Sequence, residues 1–281
     1  MSPKIFVTEE ATPQLRNAMA ERAMERWPGA FHRGDEALEW LTHTITPASE
    51  AWVYLGNAKT GTTSTKSFLF QLEFGAPLTV HFEPPRDINP DGIAHAMARS
   101  GVFRSLPNMP KGLKTLREAL RLVTARHPSS RAVSSFRYLC LSDEQASPWL
   151  LAERLRLNAV TGFDWSTDRY THRGFLKFLD YVDETSNQPG QLRDNPHIRP
   201  QVRNVRPDLY QPHLIGRTED LPAFFRAIAE RLNRPLPPDV AKIEANRNDK
   251  AAPGEELLTP ESRRRLGQVF AKDYDWLNEA P

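Results

Sequence analysis

Apolar and polar positions alternate along the chain with two different periods, and the succession of these periods predicts an α/β protein. Apolar residues spaced three and four apart over 10–45 predict helices in that stretch. Short continuous apolar runs over 52–56, 78–82 and 120–125 predict strands instead. Because helical stretches separate these strands, the pattern indicates a central parallel sheet flanked by helices.

The same pattern divides the chain and predicts its other helices. We predict an N-terminal helical segment over 1–46 that packs on the core, followed by a single domain over 47–281. A basic stretch over 186–212 has no regular period and is predicted to be irregular. Further helices are predicted up to Phe74, over 93–100, 130–141, 221–232 and 261–273, and with breaks over 147–185.

Composition limits the class of protein. At 281 residues, with 39% hydrophobic and 26% charged, the chain can bury a full core, and a net charge of +2 is too small to indicate a nucleic-acid or membrane partner. Its apolar runs fall short of the ~20 residues that span a bilayer, and the N-terminus lacks a secretory pattern. The single cysteine, Cys140, allows no internal disulfide. These features predict a soluble cytoplasmic protein, whereas nothing in the sequence indicates its oligomeric state.

The loop after the first predicted strand has the composition of an anion site. Gly56 and Gly61 are five residues apart, and Thr62 opens the next helix. Successive backbone N–H groups and the positive end of a helix bind phosphate, and glycine allows its close approach. A nucleoside-triphosphate kinase would carry a lysine after the second glycine and a metal-binding aspartate after a nearby strand. Here the lysine is Lys59, inside the loop, and the third predicted strand ends in Arg126, which argues against a metal–triphosphate site.

A second group of anion-binding residues follows the third predicted strand. Arg126 ends that strand, Pro128 sets a turn, and Ser134 lies eight residues after the arginine, within the next helix. A guanidinium beside a hydroxyl suits a phosphate monoester. Two such sites at consecutive strand-to-helix turns of one sheet indicate function more strongly than either site alone.

The stretch NAKTGTTS over 57–64 resembles the 5′-phosphosulfate loop of sulfotransferases, and the spacing of Arg126 and Ser134 resembles their 3′-phosphate signature. The resemblance implies a P-loop-like three-layer α/β fold. It implies 3′-phosphoadenosine 5′-phosphosulfate (PAPS) as donor, without a metal, and release of 3′-phosphoadenosine 5′-phosphate (PAP). Lys59 would then contact the bridging oxygen and the moving sulfuryl group. The residues implied to hold the 5′-phosphate are Thr60, Gly61, Thr62, Thr63 and Ser64.

Three later segments, 194–201, 210–225 and 270–277, are similar to the carbohydrate-type branch of that family, which includes Golgi enzymes. Ile198 and Phe270 depart from the aromatic residue and the tyrosine usual there, and a membrane anchor and paired cysteines are missing. The resemblance therefore implies a soluble, bacterial-style member. The sequence leaves the acceptor open among a hydroxyl or amine of a glycan, a lipid head group or a small metabolite.

Sulfuryl transfer also needs a base for the acceptor proton. His81 is the first candidate, because it lies in the predicted strand over 78–82, at the sheet edge beside the Lys59 loop, and titrates near neutral pH. Glu83 shares its face if the strand continues, and glutamate is the base at the corresponding strand end of heparan 3-O- and N-sulfotransferases. His197, which matches a histidine of the carbohydrate-type branch, is the third candidate, or else shapes the cleft.

Several features near His197 have more than one interpretation. Trp149 and Trp165 lie in helical stretches and are expected in the core rather than in an acceptor wall. Four arginines near His197 predict a lid over the nucleotide, a surface for an acidic acceptor, or a solvated basic loop: Arg193, Arg199, Arg203 and Arg206.

The sequence also leaves open two alternatives to a sulfotransferase. They are a P-loop-type kinase that uses ATP and Mg²⁺ and a PAPS-binding protein without activity.

Overall fold

The computed structural model of the chain describes residues 12–80, 92–186, 195–238, 240 and 254–280. Its strands are β1 (Thr44–Thr46), β2 (Trp52–Leu55), β3 (Arg104–Ser105), β4 (Leu120–Ala125) and β5 (Leu214–Arg217). They form one sheet in the order β3-β1-β2-β4-β5. Strands β2, β4 and β5 are parallel, whereas β1 runs antiparallel to both of its neighbours. The predicted parallel sheet is confirmed for its core, and two short strands extend it at one edge.

Thirteen helices surround the sheet in the described part of the chain. They are α1 (Pro13–Arg26), α2 (Gly34–Thr42), α3 (Thr62–Phe74), α4 (Gly92–Arg99), α5 (Gly112–Glu118), α6 (Pro128–Glu144), α7 (Leu151–Thr161), α8 (His172–Ser186), α9 (Gln201–Val205), α10 (Pro207–Tyr210), α11 (Leu221–Arg231), α12 (Pro260–Val269) and α13 (Ala271–Leu277). Among these helices, none has both the length and the apolar character needed to cross a lipid bilayer.

Successive residues of β2 face opposite sides of the sheet, and each side is covered by helices. Val53 and Leu55 belong to a buried cluster with residues of α1, α2 and α5. Trp52 and Tyr54 belong to a second cluster, with residues of α3 and α11. A third cluster joins α6, α7, α8, α12 and α13 beside the sheet. The layers are therefore helix, sheet and helix, which confirms the predicted α/β class.

The strands that frame the two anion sites lie where the sequence predicts them, but the strand predicted over 78–82 is wrong in its described part. Residues 78–80 have no strand structure, and the Val80 side chain is 64% exposed. Strand β2 is flanked on both sides by β1 and β4, so its edges offer no place for another strand. His81 and Glu83 lie outside the residues that the structure describes.

Other differences concern short elements. The predicted final helix over 261–273 is two helices, α12 and α13, separated at Phe270. The stretch predicted as irregular contains the short helices α9 and α10. The boundary proposed between 46 and 47 stays a prediction. Strand β1, just before that boundary, belongs to the central sheet.

Candidate functional site

The loop between β2 and α3 is held in a sharp turn by two left-handed residues. Gly61, directly before α3, has φ = +77°, and Lys59 has φ = +67°. A side chain at position 61 would be strained, and its Cβ would lie 2.9 Å from Cδ1 of Leu221. The turn brings the chain abruptly from the carboxyl end of β2 into the N-terminus of α3, where backbone N–H groups are available to an anion.

The threonine hydroxyls of this loop brace the loop itself. The Thr60 hydroxyl donates to the carbonyl of Asn57 at 2.6 Å and lies 2.8 Å from Oγ1 of Thr124. The Thr62 hydroxyl donates to the same carbonyl at 2.8 Å. Any contact of Thr60 or Thr62 with a phosphate in this arrangement therefore comes from the backbone. Of the other two predicted phosphate residues, Thr63 is half-buried and Ser64 is buried.

The Lys59 ammonium lies on an aromatic ring. Its Nζ is 4.0 Å from the ring centroid of Tyr138, a cation–π contact. Tyr138 is one helical turn after Ser134 on α6, so both side chains are on the same face of that helix. The lysine of the first predicted anion site is thus connected to the helix of the second site. Tyr138 is not among the residues predicted from the sequence, although its spacing of four residues from Ser134 is a usable signal.

Arg126 and Ser134 carry polar groups that the described protein leaves available. The Arg126 guanidinium is half-buried, and no hydrogen bond or ion pair joins it to any described residue. Burial lowers the pKa of Arg126, an effect that the charge of Glu219 opposes. The Ser134 hydroxyl is also half-buried and makes no hydrogen bond within the described residues. A half-buried guanidinium and hydroxyl at a strand end and in the following helix fit a phosphate monoester.

A buried amide side chain fixes the backbone of Arg126. Nε2 of Gln201 donates to the Arg126 carbonyl at 2.8 Å, and the Arg126 N–H donates to Oε1 of Gln201 at 3.0 Å. The same Oε1 accepts a bond from Nδ2 of Asn57 at 3.1 Å. Gln201 therefore connects both predicted phosphate sites, through the loop after β2 and the residue after β4.

Gln201 is itself held by the C-terminal helix. The Asp273 carboxylate accepts hydrogen bonds from the backbone N–H groups of Gln201 and Val202, each at 2.8 Å. Burial raises the pKa of the Asp273 carboxyl, and the nearby charge of Arg131 opposes that rise. Gln201 and Asp273 belong to the later segments noted in the sequence, which had no role assigned to them. Their role in the structure is to support the residues at the strand ends.

Arg131 and Ser135, which stand beside the predicted phosphate residues in sequence, bind protein groups instead. The Arg131 guanidinium donates to the carbonyls of Ala58, Arg199 and Pro196 at 3.0, 2.8 and 2.9 Å. Burial lowers the pKa of Arg131 to about 10. The Ser135 hydroxyl lies 2.5 Å from the carbonyl oxygen of His197. These contacts fasten the segment that precedes α9 to α6 and to the loop after β2.

His197 lies beside Tyr138, and its ring is oriented by a neighbour. The His197 ring centroid is 5.7 Å from that of Tyr138 and 5.8 Å from that of Trp149. Nδ1 of His197 and its backbone N–H both lie 2.9 Å from Oδ1 of Asn195. With Oδ1 of Asn195 as acceptor, Nδ1 carries the proton and Nε2 the lone pair. This tautomer is the one that can take up a proton at Nε2.

The described arginines of the basic stretch bind the N-terminal helical region and the end of α8. Arg199 pairs with Glu39 at 3.3 Å. Arg206 pairs with Glu36 and also donates to the carbonyl of Ala30. Arg203 donates to the carbonyl of Ser186 at 3.2 Å, while Arg193 lies outside the described residues. These three side chains bind other parts of the protein. Of the three interpretations, a surface for an acidic acceptor is therefore the least consistent with the structure.

The two tryptophans differ from each other. Trp165 is partly buried and packs against the helical cluster beside the sheet, as expected. Trp149 is 38% exposed and meets the His197 ring edge-on at 89°, so the expectation that it is a core residue is wrong. The reason is its position before α7, where it packs sideways on His197 instead of pointing into the core.

The comparison with protein families agrees with this arrangement. Residues 43–278 match the family described as the sulfotransferase family, a span that contains all five strands and both candidate anion sites. Neither the comparison with curated proteins nor that with solved structures found a match. The chain belongs to the sulfotransferase family of enzymes, which use PAPS as the sulfuryl donor.

Proposed function

We propose that this enzyme moves the sulfuryl group of PAPS onto a hydroxyl or amine, with the 5′-phosphosulfate on the loop after β2 and the 3′-phosphate on Arg126 and Ser134. One observation carries the proposal. A half-buried guanidinium and hydroxyl follow β4 without hydrogen bonds to the described protein, and Gln201 ties the residue that bears the guanidinium to the first loop. Such an arrangement suits a nucleotide that carries phosphates at both its 5′ and its 3′ position.

The loop residues have different roles in this proposal. The backbone N–H groups of Thr60, Gly61, Thr62, Thr63 and Ser64 and the N-terminus of α3 hold the 5′-phosphate. The Lys59 ammonium, which lies on the Tyr138 ring, contacts the oxygen that bridges phosphorus and sulfur. There it balances the negative charge that develops on the leaving phosphate, which is the largest charge change in the reaction.

The bonds formed and broken balance without a further reactant. A lone pair of the acceptor oxygen or nitrogen forms the new bond to sulfur. The bond from sulfur to the bridging oxygen breaks, and its electron pair leaves on the 5′-phosphate of PAP. The acceptor proton goes to a general base of the protein.

Three candidate bases remain, and the described contacts support one of them. Asn195 orients the His197 ring, and that ring lies next to the ring that holds the Lys59 ammonium. His81 and Glu83 stay predictions from the sequence, because both lie outside the described residues. We therefore rank His197 first in this proposal. His197→Ala, His81→Ala and Glu83→Gln should separate the three, since the true base loses turnover while PAP affinity is retained.

We further propose that the enzyme belongs to the carbohydrate-type branch, has a bacterial-style origin, acts in the cytoplasm and transfers the sulfuryl group without a metal. The acceptor is a glycan, a lipid head group or a small metabolite. A chelator should leave the rate of transfer unchanged if no metal takes part, and loss of turnover that Mg²⁺ restores would contradict this.

The test of the activity is transfer of labelled sulfate from PAPS by the purified chain with a panel of hydroxyl and amine acceptors. Lys59→Ala should lower kcat by about a hundredfold or more, since it removes the charge nearest to the leaving oxygen. Lys272→Ala is the matched control, because Lys272 is exposed on α13 and far from the loop in sequence. Equal turnover of Lys59→Ala and the wild type would contradict the proposed role.

A further inference from the structure

We infer that the acceptor is an uncharged hydroxyl compound with an apolar body, bound along an aromatic track of Tyr138, His197 and Trp149. The inference rests on the proposed function in one respect, since Lys59 marks the place of the sulfuryl group. It goes beyond that function by selecting one acceptor class. The track begins at the reacting end of the donor site and ends in solvent.

Three ring contacts define the track. The Tyr138 ring lies 4.0 Å from the Lys59 ammonium. The His197 ring follows at 5.7 Å and is tilted by 30° relative to the Tyr138 ring. The Trp149 ring follows at 5.8 Å and meets His197 edge-on at 89°. A molecule whose hydroxyl is at the sulfur therefore has aromatic surfaces beside its next atoms.

The outer end of the track is apolar and exposed. Trp149 is 38% exposed, and Leu151 and Leu155, which follow it in the chain, are 49% and 62% exposed. Leu151 and Leu155 are one turn apart on α7 and share a face of that helix. Large apolar side chains grouped at the protein surface are typical of a ligand or interaction site. The part of the acceptor farthest from its hydroxyl is therefore the apolar part.

The charges around the track argue against a polyanionic acceptor. Arg137, next to Tyr138 on α6, pairs with Glu256 at 2.9 Å. Arg199, two residues after His197, pairs with Glu39 at 3.3 Å. An acidic glycan needs cations along its length, whereas these two, the arginines closest in sequence to the track, already have acidic partners. An uncharged body on aromatic rings avoids that conflict.

A homologous series of linear primary alcohols tests this inference, because it varies only the apolar body. With PAPS saturating, kcat/KM should rise about threefold for each added methylene from butanol upward and level off when the chain passes Trp149. Methyl β-glucoside, an uncharged polar acceptor, should be slower than the longer alcohols. A kcat/KM that does not change with chain length, or a preference for the glucoside, would overturn the inference.

Substitution of Trp149 tests whether the rise in kcat/KM with chain length arises from contacts with this track. Trp149→Ala should remove most of the dependence on chain length and raise KM for octanol about tenfold, whereas Trp149→Phe should keep it. Leu236→Ala is the control, since Leu236 is similarly exposed, at 42%, but lies in the loop after α11. Equal chain-length dependence in Trp149→Ala and the wild type would refute the track.

Binding of PAP, measured on the same proteins, separates the two proposals. All three variants should bind PAP as the wild type does. If the wild type binds PAP and sulfates none of the alcohols, the acceptor inference is refuted and the donor site stands. If the wild type does not bind PAP, the proposed function fails, and the acceptor inference fails with it.

Discussion

The side chain of Gln201 pairs with the backbone of Arg126 in both directions, with Nε2 donating to the carbonyl at 2.8 Å and Oε1 accepting from the N–H at 3.0 Å. A backbone segment held by two such bonds in the interior cannot shift without leaving polar groups unpaired. The pairing fixes the position of the Arg126 backbone and hence of the Cα atom that bears the side chain. Gln201, to which the sequence analysis gave no role, therefore supports the donor site through Arg126.

Removal of the Gln201 amide should weaken PAP binding through Arg126. We expect Gln201→Met to raise the Kd for PAP by about tenfold, because the strand end and the loop after β2 lose their common partner. The double variant Gln201→Met, Arg126→Ala should bind PAP only slightly more weakly than Arg126→Ala alone, since the two residues act together. Isothermal calorimetry of the four proteins gives this coupling directly.

The matched control for that cycle is Gln268→Met, because Gln268 is exposed on α12. It should leave the Kd for PAP unchanged. Fully additive losses in the double variant would show that Gln201 acts independently of Arg126 and would contradict the positioning role.

The two glycines at the ends of α3 allow a matched test of the loop. Gly61 and Gly75 have left-handed φ values of +77° and +69°. Alanine at either position should cost about 1 kcal/mol of stability through backbone strain. Only Gly61→Ala should also weaken PAP binding, because its Cβ would press on Leu221 while that of Gly75 meets nothing within 4 Å. Equal PAP affinities of the two variants would contradict the assignment of this loop to the 5′-phosphate.

Arg131 should matter for folding more than a surface arginine does. Its buried guanidinium serves three carbonyls, so Arg131→Met should lower the free energy of unfolding by about 3 kcal/mol. Urea denaturation followed by circular dichroism measures the loss. Arg264→Met, on the exposed side of α12, should be nearly neutral. If both variants unfold at the same urea concentration, the role of Arg131 as a clamp is wrong.

Cys140 should be unreactive in the folded protein. It is fully buried, and burial raises the pKa of its thiol to about 12, so the nucleophilic thiolate is almost absent at lower pH. We expect iodoacetamide at about pH 8 to leave the native chain unmodified and to alkylate it once after denaturation, as measured by mass spectrometry. Comparable alkylation rates in the native and denatured chains would contradict the buried position on α6.

Strands and helices that consist of apolar runs beside glycine-containing turns were predictable from the sequence. Strands β2 and β4 and helix α3 follow from continuous apolar residues and from Gly61 and Gly75 at the ends of the helix. Strands β1 and β3 contain only three and two residues, which is too short for any periodic signal. In the run at 78–80, Leu78 packs against the cluster of α3 and α11 while Val80 is exposed, and the run forms no strand because strand pairing depends on the rest of the sheet.

The sequence predicts which polar and charged residues belong to the site better than it predicts the contacts that those residues make. The sequence identifies Lys59, Arg126 and Ser134 by residue type and spacing, but the same criteria apply to Arg131, which the structure uses as a clamp. Only tertiary packing distinguishes an arginine that serves carbonyls from one that is left for a ligand. The contact of Lys59 with Tyr138 likewise joins residues far apart in sequence.

The central claim is that the two strand ends form a PAP(S) site, and calorimetry with PAP tests it most directly. The wild type should bind PAP with a single site, and Arg126→Ala should weaken that binding about tenfold to a hundredfold, because a charged hydrogen-bonding group is lost. No binding of PAP to the wild type at millimolar concentration, or equal affinities of the wild type and Arg126→Ala, would contradict the account.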